Sequence, residues 1–186
     1  MRNYNRSQEY KLLNKCAQSN KIVLAGSGIA EELYLNELIE DYDLNQKLYN
    51  RSIADLRIED AVQYFEKCIY ELKPMKILIY LGENELTDGN ISVEKFSEQY
   101  KWLLYNVHVN LPSAQIYIIA LRDDIEGAKL YNNELHKIAS EYGCILLNLN
   151  CLDSDDGMNM IFFRTIKRSF LDKNVSFANA MSISAL

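Results

Sequence analysis

Met75-Lys76-Ile77-Leu78-Ile79-Tyr80-Leu81 runs without interruption into Gly82-Glu83-Asn84-Glu85, and this stretch decides the fold. Seven residues rich in β-branched and aromatic side chains, bounded by Pro74 and Gly82, read as a strand buried on both faces. Strands of that kind belong to parallel sheets covered by helices on both sides. The glycine and the amide that follow place Asn84, a neutral hydrogen-bond donor, at the carboxyl edge of the sheet. Open α/β sheets bind ligands at that edge. An amide held there can stabilise an oxyanion or grip a polar ligand.

Working outward, Lys21–Ala25 is a second short apolar run, ending at Gly26. Gln115–Leu121 and Cys144–Asn148 read the same way, and Gln46–Asn50 is a weaker candidate. Between them lie helical patterns. Ile29–Ile39 spaces its apolar residues on one face, and Ile58–Leu72 does so with Ile58, Ala61, Val62, Phe65, Ile69 and Leu72. Val93–Val107 and Asn132–Tyr142 continue the alternation, and Val175–Leu186 is a candidate last helix. Strands alternating with helices predict an α/β fold, a parallel five-stranded sheet between two helical layers with right-handed crossovers. No linker or repeat divides residues 1–186, so one domain is expected.

Composition limits the function. The net charge of -6 over 186 residues argues against nucleic acid or an anionic membrane as partner. The 13 tyrosines read as core and groove packing. The four cysteines form no Cys-x-x-Cys pair and have no histidine cluster beside them, so no metal site is expected. Free thiols at Cys68 and Cys144 suit a reducing compartment. Met1–Asn20 lacks the apolar segment of a signal peptide and no apolar run reaches membrane-spanning length, so a cytoplasmic location is expected.

Three strand ends carry candidate chemistry: Ala25-Gly26-Ser27-Gly28-Ile29, Asn50-Arg51-Ser52-Ile53-Ala54-Asp55 and Gly82-Glu83-Asn84-Glu85. Together they resemble the SGNH, or GDSL-like, hydrolase superfamily. That family has Gly-Asp-Ser after its first strand, Asn-Arg-Gly-Ile-x-Gly after its second, Gly-x-Asn-Asp after its third and Asp-x-x-His before the last helix. The resemblance implies a three-layer α/β/α sandwich with strand order 2-1-3-4-5. It also implies ester or acyl hydrolysis without a cofactor, and a small-molecule ester or acylated ligand. It casts Ser27 as nucleophile, Asn84 as oxyanion donor and Asp172 as the last-block acid, with Gly26, Gly28, Arg51, Ser52, Gly82 and Glu83 lining the cleft.

The departures are as informative. Aligned without a gap, Ser27 takes the family aspartate position and Gly28 the nucleophile position; a shift of one residue makes Ser27 the nucleophile. The oxyanion-hole glycine of the second block falls on Asp55, or on Ala54. Glu85 replaces an aspartate, and Val175 stands where the histidine should be. The two histidines, His108 and His136, lie in helix patterns upstream of that block. A serine without a general base is a poor nucleophile near neutral pH, so hydrolysis is expected to be weak or lost.

Other readings remain open. A hydrolase, or a pseudoenzyme that keeps the cleft for binding or partner recognition, both fit. Gly26-x-Gly28 followed by Arg51 after the second strand is also a partial NADP fingerprint, with Arg51 available for a 2′-phosphate. Arg51 reads equally as a ligand clamp or as a structural partner. Arg122–Glu126 and Asp153–Asp156 read as solvated loops, the first able to reach the cleft mouth. Arg164–Arg168 reads as a surface run or as a contact for an anionic ligand.

Overall fold

The computed structural model describes residues 2–149, 151 and 156–171, without the side chains of residues 2–5 and 171. The sheet strands are β1 (Ile22–Gly26), β2 (Leu48–Asn50), β3 (Lys76–Tyr80), β4 (Gln115–Ile119) and β5 (Ile145–Leu147). They are all parallel, in the order β2-β1-β3-β4-β5. β1, β3 and β4 are buried along their whole length, which is why their sequences are apolar rather than alternating. β2 and β5 are edge strands of three residues each.

The helices are α1 (Arg2–Asn14), α2 (Leu35–Asp41), α3 (Ile58–Cys68), α4 (Glu83–Asp88), α5 (Val93–Asn110), α6 (Ala128–Glu141) and α7 (Met158–Leu171). α1 packs on α3, α3 on α5 and α5 on α6, forming one layer; α2 and α7 pack together on the other face. α3 presents Ile58, Ala61, Phe65 and Cys68 to the core at helical spacing. At about 25 cal/mol per Å², burying Ile58 or Phe65 contributes roughly 1.5–3 kcal/mol each before entropy is subtracted, and Ala61 and Cys68 contribute less.

Several elements differ from the sequence reading, among them α4, which forms where a turn was expected. The first helix pattern is split: a 3₁₀ turn covers Gly28–Glu32, Leu33 is extended, and α2 begins at Leu35. The polar amino-terminal segment is a helix, α1, because Tyr10 and Asn14 are drawn into hydrogen bonds beneath it. α7 occupies residues read as a surface basic run. Ile161, Phe162, Phe163, Ile166 and Phe170 bury its inner face, while Lys167 lies 4.6 Å from the Tyr42 ring centroid and Arg164 pairs with Asp156. The expected helix at 175–186 lies outside the described residues.

Candidate active site

β1 and β3 run side by side, with Gly26 opposite Tyr80, so their carboxyl ends deliver Ser27–Gly28 and Gly82–Asn84 to the same edge. β2 lies on the other side of β1 and delivers residues 51–57. Backbone bonds tie the turns together. Ser27 N–H donates to the Tyr80 carbonyl at 2.8 Å, and Ile53 N–H donates to the Gly26 carbonyl at 3.0 Å.

The centre of this arrangement is the Ala54 carbonyl oxygen. Gly28 N–H donates to it at 2.8 Å. Asn84 Nδ2 donates to it at 2.8 Å and to the Leu56 carbonyl at 3.1 Å. Two donors from separate turns therefore converge on one carbonyl oxygen of the chain itself. Ala54 N–H is engaged in turn by the Glu31 carboxylate at 2.8 Å, and Glu31 pairs with Arg6 at 3.0 Å.

Gly28 and Ser27 are distinguished by what surrounds them. Gly28 has φ +55, and a Cβ there would lie 2.9 Å from the Glu83 carboxyl carbon. A side chain at position 28 would point at Glu83, beside Asn84. Ser27 is fully buried, and its Oγ has no partner among the described residues. Gly28, whose amide is one of the paired donors, carries no side chain. Gly82 (φ +119) immediately precedes α4 as its N-cap and lets Phe96 pack against it; a Cβ would meet that ring at 2.8 Å.

Glu83 walls the pocket. The Tyr80 hydroxyl donates to its carboxylate at 2.5 Å, and Arg122 stands 4.0 Å away. Burial, then the Glu83 charge, holds the Tyr80 phenol well above its ordinary range. Arg122 makes two bonds to Asp124, at 3.0 and 2.6 Å, and that partner raises its pKa further. The ligand atoms of Asp123, Asp124 and Cys151 lie within 4.8 Å of one another, but the Arg122 guanidinium already supplies the positive charge that Asp124 faces. Glu85 is buried. Its Oε1 accepts from Ile58 N–H at 2.8 Å, satisfying the first turn of α3, while Oε2 has no partner among the described residues. Burial raises its pKa.

Arg51 and Ser52 sit away from this centre. The Arg51 guanidinium is sandwiched 5.2 Å from each of the Tyr10 and Tyr49 ring centroids, and its Nε donates to Asn14 Oδ1 at 2.8 Å. Its partners are α1 and aromatic faces rather than an acidic side chain, and only 6 % of it is exposed. Ser52 is fully buried, with its carbonyl accepting from the Tyr10 hydroxyl at 2.7 Å. Asp172 and Val175 lie outside the described residues. Nearby Ser169 is at the opposite edge, its carbonyl accepting from Lys76 Nζ, at the start of β3, at 2.6 Å. The amino end of α7, which follows β5, is the part of that helix on the carboxyl edge. His108 Nε2 contacts the Tyr142 carbonyl at 3.1 Å, and His136 is on α6. Neither imidazole is hydrogen-bonded to Ser27.

A cleft of about 660 Å³ opens one residue beyond Gly28, between the 3₁₀ turn and the start of α7. Ile29, Glu31, Tyr34, Met158 and Asn159 line it. Sequence reasoning missed this wall because it needs Tyr34 N–H bonded to Asn159 Oδ1 (2.7 Å), a contact across 125 positions. The Glu31 bond was equally hidden. The charged stretch beginning at Arg122 was the one visible signal of a wall beside Glu83.

No family model matches the sequence, and no curated protein does. Solved structures do match. A Streptococcus pneumonia protein named for platelet activating factor aligns over 91% of this chain and 92% of its own, with TM-score 0.76 and 14% identity. A GDSL-like lipase from Bacteroides thetaiotaomicron aligns over 89% and 97%, with TM-score 0.68 and 13% identity. The fold is that of the SGNH hydrolases. An acetyl-xylooligosaccharide esterase from Geobacillus shares it over 85% of this chain and 97% of its own, with TM-score 0.65 and 12% identity. Strand order and parallel pairing agree with the SGNH fold throughout. Among the described residues, no helix is long and apolar enough to cross a membrane.

Proposed function

We propose that this chain is a binding protein on a hydrolase scaffold, a pseudoenzyme that holds a small ester- or acyl-type ligand at the carboxyl edge and hydrolyses it slowly or not at all. One observation carries the reading: Gly28 and Asn84 donate to the same oxygen, and the residue of that pair that should attack has no side chain. Ser27, one position earlier, is enclosed and without a base. Losing a catalytic serine or its histidine commonly costs several orders of magnitude in rate.

In this reading Asn84 and the Gly28 amide grip a carbonyl or carboxylate oxygen, and Glu83 and Gly82 shape the wall. Gly26, Ser27, Arg51 and Ser52 hold the turns in place. The acyl or alcohol portion lies in the cleft beside Ile29 and Tyr34. The names of the neighbours, lipase and esterase, support the ligand class. The nucleotide alternative needs Arg51 to reach a phosphate, and Arg51 is enclosed by Tyr10 and Tyr49. We read the chain as one cytoplasmic domain with no nucleic-acid partner and no cofactor.

The test has two parts. A fluorophosphonate probe, which labels activated serines, should leave Ser27 unmodified by mass spectrometry. Short acyl esters such as triacetin should raise the melting temperature, because a ligand that binds only the folded state stabilises it. Labelled Ser27 would return the chain to the working hydrolases. An unmoved melting temperature across acetyl to hexanoyl esters would remove the ligand class.

A further inference from the structure

Residues 53–56 form a β-turn, closed by Leu56 N–H donating to the Ile53 carbonyl at 2.9 Å. Ala54 and Asp55 are its central residues, so the peptide joining them is the middle peptide of the turn. That peptide supplies the carbonyl that fills the pocket. Asp55 is not among the non-glycine residues with positive φ, which are Asn20, Asp43 and Lys73. The turn is thus in the form that keeps both central residues at negative φ.

Rotating a middle peptide by half a turn interconverts the two common turn types. Here it would withdraw the Ala54 carbonyl and put Asp55 N–H in its place. The flanking bonds, Ile53 N–H to Gly26 and Ala54 N–H to Glu31, belong to peptides that do not rotate. The barrier to holding the rotated form is local: it requires positive φ at Asp55, which residues other than glycine adopt reluctantly. It also leaves Gly28 N–H without its acceptor, and the Asn84 amide with the Leu56 carbonyl alone, until a ligand takes the vacated place.

We propose that the Ala54–Asp55 peptide is a gate: closed, its carbonyl fills the pocket; rotated, Asp55 N–H joins Gly28 N–H and the Asn84 amide as donors to a small carboxylate or similar oxyanion. The gate rests on the reading of this pocket as the ligand site and adds how access to it is controlled. A ligand shifts the equilibrium because it interacts with the rotated form alone.

The test is an NMR titration of the full chain with sodium acetate, at constant ionic strength set with chloride. It compares wild type, Asp55→Gly and Asp55→Ala. Asp55 is exposed, so neither change disturbs the core. Glycine relieves the positive-φ cost and alanine does not, so acetate should bind Asp55→Gly about tenfold more tightly than Asp55→Ala. The Gly28 amide and the Asn84 side-chain NH₂ should be the resonances that move. Equal affinity for Asp55→Gly and Asp55→Ala would overturn the gate. So would acetate shifts confined to Tyr34 and Asn159, an outcome that leaves the cleft as a ligand site. Ser27 labelling by the fluorophosphonate probe tests the loss of hydrolysis separately.

Discussion

Replacing Gly28 with alanine tests whether this position faces Glu83 as described. Two costs are expected. At φ +55 an L-residue pays roughly 1–2 kcal/mol for the left-handed conformation. The new Cβ would also lie 2.9 Å from the Glu83 carboxyl carbon and Oε2. A carboxylate is the end of a flexible chain and can retreat, but this one is held by the Tyr80 hydroxyl at 2.5 Å. Displacing it weakens a hydrogen bond to a charged group, worth about 1.5–3 kcal/mol when intact. Partial relaxation puts the total at roughly 2–3 kcal/mol. Urea unfolding of Gly28→Ala, Glu83→Ala and the double variant separates the terms. The double variant keeps the strain and loses the clash, so the pair should couple by about 1 kcal/mol. A cost for Gly28→Ala below roughly 0.5 kcal/mol, within the range of an ordinary surface change, or no coupling to Glu83, would refute the placement.

Other expectations follow from buried groups. Asn84→Ala removes two bonds that fasten the 53–56 turn to α4 and should cost about 1–3 kcal/mol in chemical denaturation. Glu85→Gln keeps an acceptor for Ile58 N–H but removes a buried charge. Because burial raises the folded pKa of Glu85, the folded state binds its proton more tightly. The Glu85 contribution to stability is then fully present at low pH and is lost as pH rises above the unfolded value of about 4.3. Denaturation midpoints should show Glu85→Gln gaining on wild type over that rise, and a constant difference would count against it. Burial pushes the thiols of Cys68 and Cys144 up to about 11 and about 12, so at pH 8 iodoacetamide should modify exposed Cys16 first, as read by mass spectrometry.

The sheet was legible because β1, β3 and β4 are buried on both faces and so are continuously apolar. β2 was faint, having three residues at an edge with only Leu48 buried. α7 is faint in the sequence although Phe162, Ile166 and Phe170 repeat at four-residue spacing, because Arg164, Lys167 and Arg168 break up the apolar pattern with charge. α1 is held by polar contacts to Ser52 and Cys68 from residues 42 and 54 positions away, which local patterning does not display.

At the site, the sequence located the three turns but not the state of their donors. That Asn84 should stand at the sheet edge follows from a strand ending in glycine. That its amide already holds Ala54 and Leu56 depends on a turn from a different strand. Arg51 offered a clamp by residue type, and its enclosure by Tyr10 comes from the unanticipated α1. Burial separates Ser27 and Gly28 in the same way: the Ser27 hydroxyl is sealed, and the Gly28 amide shares the Ala54 carbonyl with Asn84.

Turnover of p-nitrophenyl acetate by the pure protein, measured beside Ser27→Ala, bears most directly on the claim that the pocket retains its donors and lacks an attacking group. Both proteins should release nitrophenol at the rate of buffer alone. Release that is well above buffer in wild type and disappears in Ser27→Ala would contradict it.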